Sequence, residues 1–353
     1  MNTELKNKIA KEFVKNFTEE PILIFSPGRI NVIGEHTDYN DGFVFPAAVD
    51  KGIIVAISKS LHTESVTIAS DLNEKFEFSV KGVNPLIGGN WRNYILGVVG
   101  EIQKKGLQVG NFNLVFGGDI PEGSGMSSSA ALENSIVFGL NELFKLGLTK
   151  EEMIFISQKA EHNYVGVNCG IMDQYASMFG IKDHALLLDC RTTVATPFLI
   201  DFKDFELLLI NTNVKHSLAD SAYNNRRAVC ENAASLLNVI ALRDVTEEDL
   251  LTIKDQISEE DYQKSLFVIQ ENNRTQAASE AMTAHDIEKL GELVFDSHNG
   301  LQHQYKVSCD ELDFLVELAK DCDDVIGSRM MGGGFGGCTI NIVKRGKSDA
   351  FFE

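Results

Sequence analysis

The feature that most limits how this chain can fold is a change of period part-way along it. Short apolar runs come first: "ILIF" from Ile22, "IIVAIS" from Ile53, "VTIAS" from Val66, "EKFEFSV" from Glu74 and "FNLVF" from Phe112. Runs of this length, rich in β-branched and aromatic residues, predict strands. After "GGDIPEGSGMSSSAALE" the spacing becomes helical: Leu132, Ile136, Leu140, Leu143 and Phe144 share one face, then Met153, Ile156, Ala160 and Tyr164 another. Thr149 with Glu152 three residues later predicts a capping box for the second helix. The strands "HALLLDC" and "FELLLIN" bracket an expected boundary near 191–203. Beyond it, helices are expected near 218–237, 261–282, 287–302 and 310–320, followed directly by a glycine-rich turn and the strand "CTINIV". Strands before helices in each half predict the α+β class.

A chain of 353 residues exceeds what one core usually holds, about 250–300 residues, so two domains are expected, 1–195 and 196–353. No run of about 18 apolar residues is present to span a bilayer. The first residues, "MNTELKNKIAKEF", lack the apolar core and cleavage site of a signal peptide, and the cytoplasm is the expected location. A net charge of −19 opposes nucleic acid and anionic membranes, so neither is an expected partner. The six cysteines form no C-x-x-C pair and the eight histidines no H-E-x-x-H, which indicates neither a zinc site nor a disulfide framework. A monomer or weak homo-oligomer is expected.

Three segments carry chemistry. "PGRINVIGEHTDYNDGFVFP", residues 27–46, packs Arg29, Glu35, His36, Asp38 and Asp41 among Gly28, Gly34 and Gly42. That mixture suits a binding wall, where carboxylates and an imidazole meet several hydroxyls and an arginine meets an anion. In the second segment Gly123 and Gly125 let the backbone turn its N–H groups inward. Ser127, Ser128 and Ser129 then stand at a helix N-terminus, where free N–H groups and the dipole favour a phosphate. No lysine follows as in a Walker loop, yet a serine hydroxyl with a carboxylate from elsewhere could hold Mg²⁺. The third segment, "MGGGFGGC", formally contains G-x-G-x-x-G at Gly332, Gly334 and Gly337. Read as following a helix and opening a strand, it lacks the context of a dinucleotide fingerprint, and a loop lying against a ligand is favoured. Taken singly, Asp173 reads as a dipole-complementing aspartate and Glu161 as an exposed helical glutamate.

Together, "GRINVIGEHTDYNDGFVFP", "PEGSGMSSSAALE" and "GGGFGGC" resemble in order and spacing the three signatures of the GHMP small-molecule kinases, the first in its galactokinase form. The resemblance spans nearly the whole chain. It implies a two-domain fold, an N-terminal mixed sheet with helices and a C-terminal α/β sandwich, with the active site between them. The implied reaction is ATP-dependent phosphorylation of the anomeric hydroxyl of galactose to α-galactose 1-phosphate, with Mg²⁺. Asp173 is then the base and Arg29 the charge stabiliser. Glu35, His36, Asp38, Gly170 and Tyr223 match positions that hold the sugar. Gly123, Ser124, Gly125, Ser127, Ser128 and Ser129 match the phosphate loop, and Ser128 with Glu161 the magnesium region. Trp91 and Tyr94 match the approach to the adenine, although an aromatic pair at helical spacing is just as often core. Val32 and Met126 replace commoner leucines, a conservative change. The family usually continues with a further helix and strand after the third motif, whereas this sequence ends at "KRGKSDAFFE", of which residues 348–353 lie outside the described ones; a short protein, a cut sequence and an altered end are the readings, and each bears on the edge of the second domain and not on the sugar site. The competing readings are a kinase for N-acetylgalactosamine or another C4-axial sugar, and a catalytically silent galactose sensor. Intact Arg29, Asp173 and the Ser-Ser-Ala-Ala run argue against the sensor.

Overall fold

The structure, a computed structural model, describes residues 2–214 and 219–347, the side chains of 219–221 excepted. In chain order, α1 (Thr3–Asn16) leads to β1 (Ile22–Asn31), β2 (Phe43–Val44), β3 (Pro46–Lys59), β4 (Ser65–Ala69) and β5 (Glu74–Phe78). Then come α2 (Trp91–Lys104), β6 (Phe112–Gly118), α3 (Ser128–Phe144), α4 (Lys150–Ala160) and α5 (Met172–Phe179). The strands β7 (His184–Asp189), β8 (Val194–Leu199) and β9 (Phe205–Asn211) precede α6 (Ala219–Leu236), α7 (Glu247–Leu251), α8 (Glu259–Ala284), α9 (Ile287–His303) and α10 (Asp310–Lys320). A hairpin of β10 (Val325–Met331) and β11 (Cys338–Lys344) follows. Among the described residues no helix is long and apolar enough to cross a membrane.

These elements form two compact units that interleave in sequence. The first comprises Met1–Arg29, Ala48–Ile120 and Ser127–Phe179; the second comprises Ile30–Ala47, Pro121–Met126 and Gly180–Glu353. The sheet of the first runs β1-β3-β6-β4-β5, with β4 parallel to β6 and β3 antiparallel to it. Strand β3 explains why its apolar run shows no alternation. Ile53, Val55 and Ile57 point into a core with Leu114, Ile95, Val98, Ile136 and Leu140, while Ile54 and Ala56 pack on Leu5, Ile9 and Phe13 of α1. A strand covered on both faces reads as continuous hydrophobe, and each fully buried aliphatic chain contributes about 1.5–3 kcal/mol. The capping box forms as expected: Glu152 N–H donates to Thr149 Oγ1 at 3.2 Å and Thr149 N–H to Glu152 Oε2 at 3.0 Å.

In the second unit, β10, β11 and β9 form an antiparallel sheet, backed by α9 and α10, and β2-β7-β8 form a smaller one. Its main core gathers Tyr39, Phe267, Leu301, Tyr305, Leu312 and Met330.

Two strands depart from the sequence reading. Strand β8 occupies the expected boundary region; Pro197 obscures its pattern, but β8 is an edge strand, where a missing N–H is tolerated. Strand β10 stands between α10 and the glycine cluster, so that cluster follows a strand and not a helix. Its sequence "VIGSRMM" hides the strand because Ser328 and Arg329 are fully buried polar residues. The cluster is therefore the loop of the β10–β11 hairpin. It still opens a strand instead of a helix, so the dinucleotide reading fails on its second half.

Candidate active site

In the first unit, Arg29 lies near the end of strand β1, and α5 carries Asp173 in its first turn, as the sequence reading expects of Asp173. Arg29 Nε donates to Asp173 Oδ1 at 2.7 Å and Nη2 to Oδ2 at 2.8 Å, a two-pronged ion pair. The Arg29 side chain is 5% exposed and that of Asp173 29%, so the carboxylate is the accessible partner. Ser127 Oγ also donates to Asp173 Oδ2. Ser127 adopts φ 58°, ψ 58°, a left-handed conformation that serine rarely takes, and makes no side-chain cap on α3. The helix N-terminus at Ser128 and Ser129 thus lacks the side-chain cap that a structural role would supply, and Ser128 is exposed.

Glu161 is buried at the point where α4 passes into a π-turn, Glu161–Val165, a distortion common at functional sites. Sequence reasoning missed its neighbour Glu133 on α3. Glu133 is fully buried, and neither carboxylate oxygen makes a well-formed hydrogen bond among the described residues, although Gln174 lies beside it. Burial, then the charge of Glu161, pushes its carboxyl well above the usual range. Burial and the carboxylates of Glu161, Glu133 and Asp173 likewise raise the Cys169 thiol. The available signal was the polar trio Glu133-Asn134-Ser135 in a helix otherwise buried by apolar residues. Gly170 is buried next to Cys169, whose carbonyl accepts from His162 Nε2 at 2.8 Å, the imidazole being the donor in that pairing. Trp91 lies in the hydrophobic core with its indole N–H on Glu74 Oε2 at 2.8 Å, and Tyr94 packs against the same core.

In the second unit the remaining residues of the 27–46 segment gather. Glu35 Oε1 accepts from Arg329 Nη2 at 3.1 Å and from Gly332 N–H at 2.8 Å. Arg329 is completely buried and also donates to the carbonyls of Asn31, Val32 and Met330. Glu271 and Asn272 of α8 hold the same loop, accepting from Gly34 N–H at 3.0 Å and Phe43 N–H at 2.8 Å. His36, at φ 63°, is 3% exposed, with its ring 5.3 Å from Tyr223 and 4.9 Å from Tyr305. Burial, reinforced by Arg226, lowers its pKa to about 3, so the imidazole is neutral. Asp38 is half-buried and accepts from Tyr39 N–H at 3.0 Å.

The two glycine segments meet within this unit. Glu122, Gly123, Gly125, Val214, Met331 and residues 333–337 line an open cleft of about 320 Å³. Ser124 is buried beside it in sequence, its hydroxyl without a hydrogen bond among the described residues. Gly334 has φ +86°, and a Cβ there would lie 2.1 Å from the Val307 carbonyl oxygen. Gly334→Ala is expected to destabilise the protein by more than about 1 kcal/mol, read as a drop in the urea midpoint; an unchanged midpoint would mean that the hairpin loop accommodates a side chain.

Comparison with known proteins shows the family. Residues 11–59 match the galactokinase galactose-binding signature, 93–181 the GHMP kinases N terminal domain and 278–353 the GHMP kinases C terminal domain. The chain is 41% identical over 326 residues to a galactokinase of Thermosipho africanus, covering 92% of this chain and 90% of that one. It belongs to the galactokinase family. A galactokinase of Clostridium acetobutylicum is 40% identical over 94% of this chain and 87% of its own length. The solved Lactococcus lactis galactokinase, complexed with galactose, superposes with a TM-score of 0.92 at 35% identity, covering 99% and 92% of the two chains. Methanococcus jannaschii mevalonate kinase, with a TM-score of 0.65 at 16% identity over 94% and 93%, shares the fold. The chain is thus an enzyme of the galactokinase family with the mixed α/β architecture of GHMP kinases.

Proposed function

We propose that this galactokinase transfers the γ-phosphoryl group of ATP to the anomeric hydroxyl of galactose, giving α-galactose 1-phosphate, with Asp173 as base. The observation that carries the assignment of roles is the Arg29–Asp173 pair joined by Ser127. Three donors already sit on the carboxylate: Arg29 Nε on Oδ1, and Arg29 Nη2 and Ser127 Oγ on Oδ2. Each carboxylate oxygen offers two lone pairs, so Oδ1 keeps one to accept the proton of the sugar hydroxyl. The two-pronged guanidinium contact holds the carboxylate in one orientation, with that free lone pair turned to the hydroxyl it is to deprotonate. Arg29 also stabilises charge that develops on the transferred group, since phosphoryl transfer depends chiefly on positioning and electrostatics.

Glu35, His36, Asp38, Gly170 and Tyr223 are assigned to the sugar, supported by the match to the galactose-binding signature and by the galactose complex of the Lactococcus relative. The cleft lined by Gly123 and Gly125 and the uncapped serines of α3 are assigned to the phosphates of ATP. Hydroxyl and carboxylate oxygens are hard donors that fit Mg²⁺, and the buried Glu133 carboxyl, which makes no well-formed hydrogen bond among the described residues, lies beside Glu161 in a region that a cation would stabilise. Ser128 and Glu161 would hold the ion; when bound, it neutralises charge on the phosphates. A cytoplasmic enzyme is the matching location.

The test is ADP release with Mg·ATP and galactose, N-acetylgalactosamine, glucose or no sugar, with the product identified by ³¹P NMR. Turnover on galactose with an anomeric phosphate supports the reading. Preference for N-acetylgalactosamine would replace the substrate, and galactose binding without turnover would make the protein a sensor.

A further inference from the structure

Behind His36 runs a line of side chains that the reaction itself does not use. His36 Nδ1 lies 2.8 Å from Tyr39 Oη, Tyr39 Oη lies 2.6 Å from Tyr305 Oη, and Tyr305 Oη lies 3.6 Å from Cys230 Sγ. All four groups belong to the second unit and are buried: Tyr39 is 9% exposed, Tyr305 0% and Cys230 1%. Each hydroxyl in so buried a line has one proton to donate, so its polarity runs one way from end to end.

Two observations set the direction. The other imidazole nitrogen, Nε2, has no well-formed hydrogen bond among the described residues, and the Gly333 backbone of the glycine hairpin favours the protonated ring, which is the effect of an acceptor. With Nδ1 already engaged by Tyr39, we assign that acceptor to Nε2, and a neutral ring carries only one proton. Nδ1 must then accept. Tyr39 O–H donates to Nδ1, Tyr305 O–H donates to Tyr39, and the Cys230 thiol donates to Tyr305. The Asn40 carboxamide lies against the Cys230 sulfur at the far end and leaves the S–H for Tyr305.

We propose that Tyr39 and Tyr305 are positioning residues that lock His36 as the neutral Nε2–H tautomer, so that it acts as a hydrogen-bond donor toward a sugar hydroxyl oxygen. The sugar half of this statement rests on the assignment of His36 to galactose above; the tautomer half does not. The expected specificity follows from the donor: an oxygen that accepts at the position facing His36 is recognised, and a deoxy or amino-substituted sugar at that position is not. Replacing Tyr39 or Tyr305 by phenylalanine removes one hydroxyl from a buried line and leaves its neighbour unpaired, at constant ring packing.

The experiment is ¹⁵N-histidine NMR on the full chain, with His36 assigned by the signal lost in His36→Gln. In the wild type the expected pattern is a non-protonated Nδ1 and a protonated Nε2, unchanged between pH 6 and 8. In Tyr39→Phe the two nitrogen shifts move toward each other as the tautomers mix, the KM for galactose rises about tenfold and kcat stays within about twofold. Tyr305→Phe produces the same change with smaller amplitude, and serves if Tyr39→Phe fails to fold. A wild-type spectrum with protonated Nδ1, or a Tyr39→Phe spectrum identical to the wild type, overturns the proposal. If the tautomer is as stated but saturating galactose leaves the His36 signals and the KM of Tyr39→Phe unmoved, the tautomer lock stands and the sugar assignment of His36 falls.

Discussion

Asp173→Asn lowers kcat by about 10²–10⁴-fold, the usual contribution of a positioned general base, while the protein stays folded. The substitution keeps the size of the side chain and one acceptor oxygen for Arg29, but removes both the negative charge and the capacity to take a proton. Because the Asp173 side chain is 29% exposed, Arg29 can recruit water in place of the lost charge, and the cost to stability stays below that of breaking a fully buried pair. The measurements are single-turnover ADP release and the thermal midpoint of the same preparation. A rate within threefold of the wild type would remove Asp173 from proton transfer and reduce the Arg29 pair to a brace. A large loss of both rate and midpoint would instead identify the pair as structural.

Arg329→Met is expected to have the largest effect on stability. It deletes the only guanidinium that meets Glu35 among the described hydrogen bonds, and strips donors from three backbone carbonyls as well. Glu35 is 2% exposed, so its carboxylate would keep only the Gly332 N–H in a dry setting. Removing one partner from such a pair costs about 3–5 kcal/mol. Urea denaturation should report that loss, and the double variant Arg329→Met with Glu35→Gln should recover part of it, since no buried charge then remains. A single-variant cost below about 1 kcal/mol, or a double variant no better than the single, would contradict the anchoring role.

The sequence made legible those parts of the molecule whose meaning is local. Strand β3 is a continuous apolar run and α4 carries its own capping box, so both were readable without any distant partner. Asp173 could be placed in the first turn of a helix, but its pairing with Arg29 joins residues 144 positions apart and came only from the motif resemblance. Arg329, Tyr39, Tyr305 and Glu133 stayed unread for the same physical reason. An arginine inside "IGSRMM" or a glutamate inside "AALENS" looks like surface until the fold buries it. Strand β10 went unseen with Arg329, because a buried charge breaks the alternation that marks a strand. Trp91 was ambiguous between core and ligand, and the structure places it in the core.

The anchors of the 27–46 segment bear on how the protein is made. Gly34 is held by a residue 237 positions later and Asn31 by one 298 positions later. The ribosome therefore releases this loop almost first and its partners almost last. Non-local closures of this kind raise contact order and slow folding, because chain entropy is lost before the contacts that reward it exist. The first unit is complete in sequence by Phe179 and has its own core to condense around during synthesis. The second has to wait for the hairpin after α10, with Val32, Ile33 and Phe45 unburied in the meantime. That interval is the chain's window for aggregation and chaperone engagement, and the 27–46 loop is the part of the molecule that matures last.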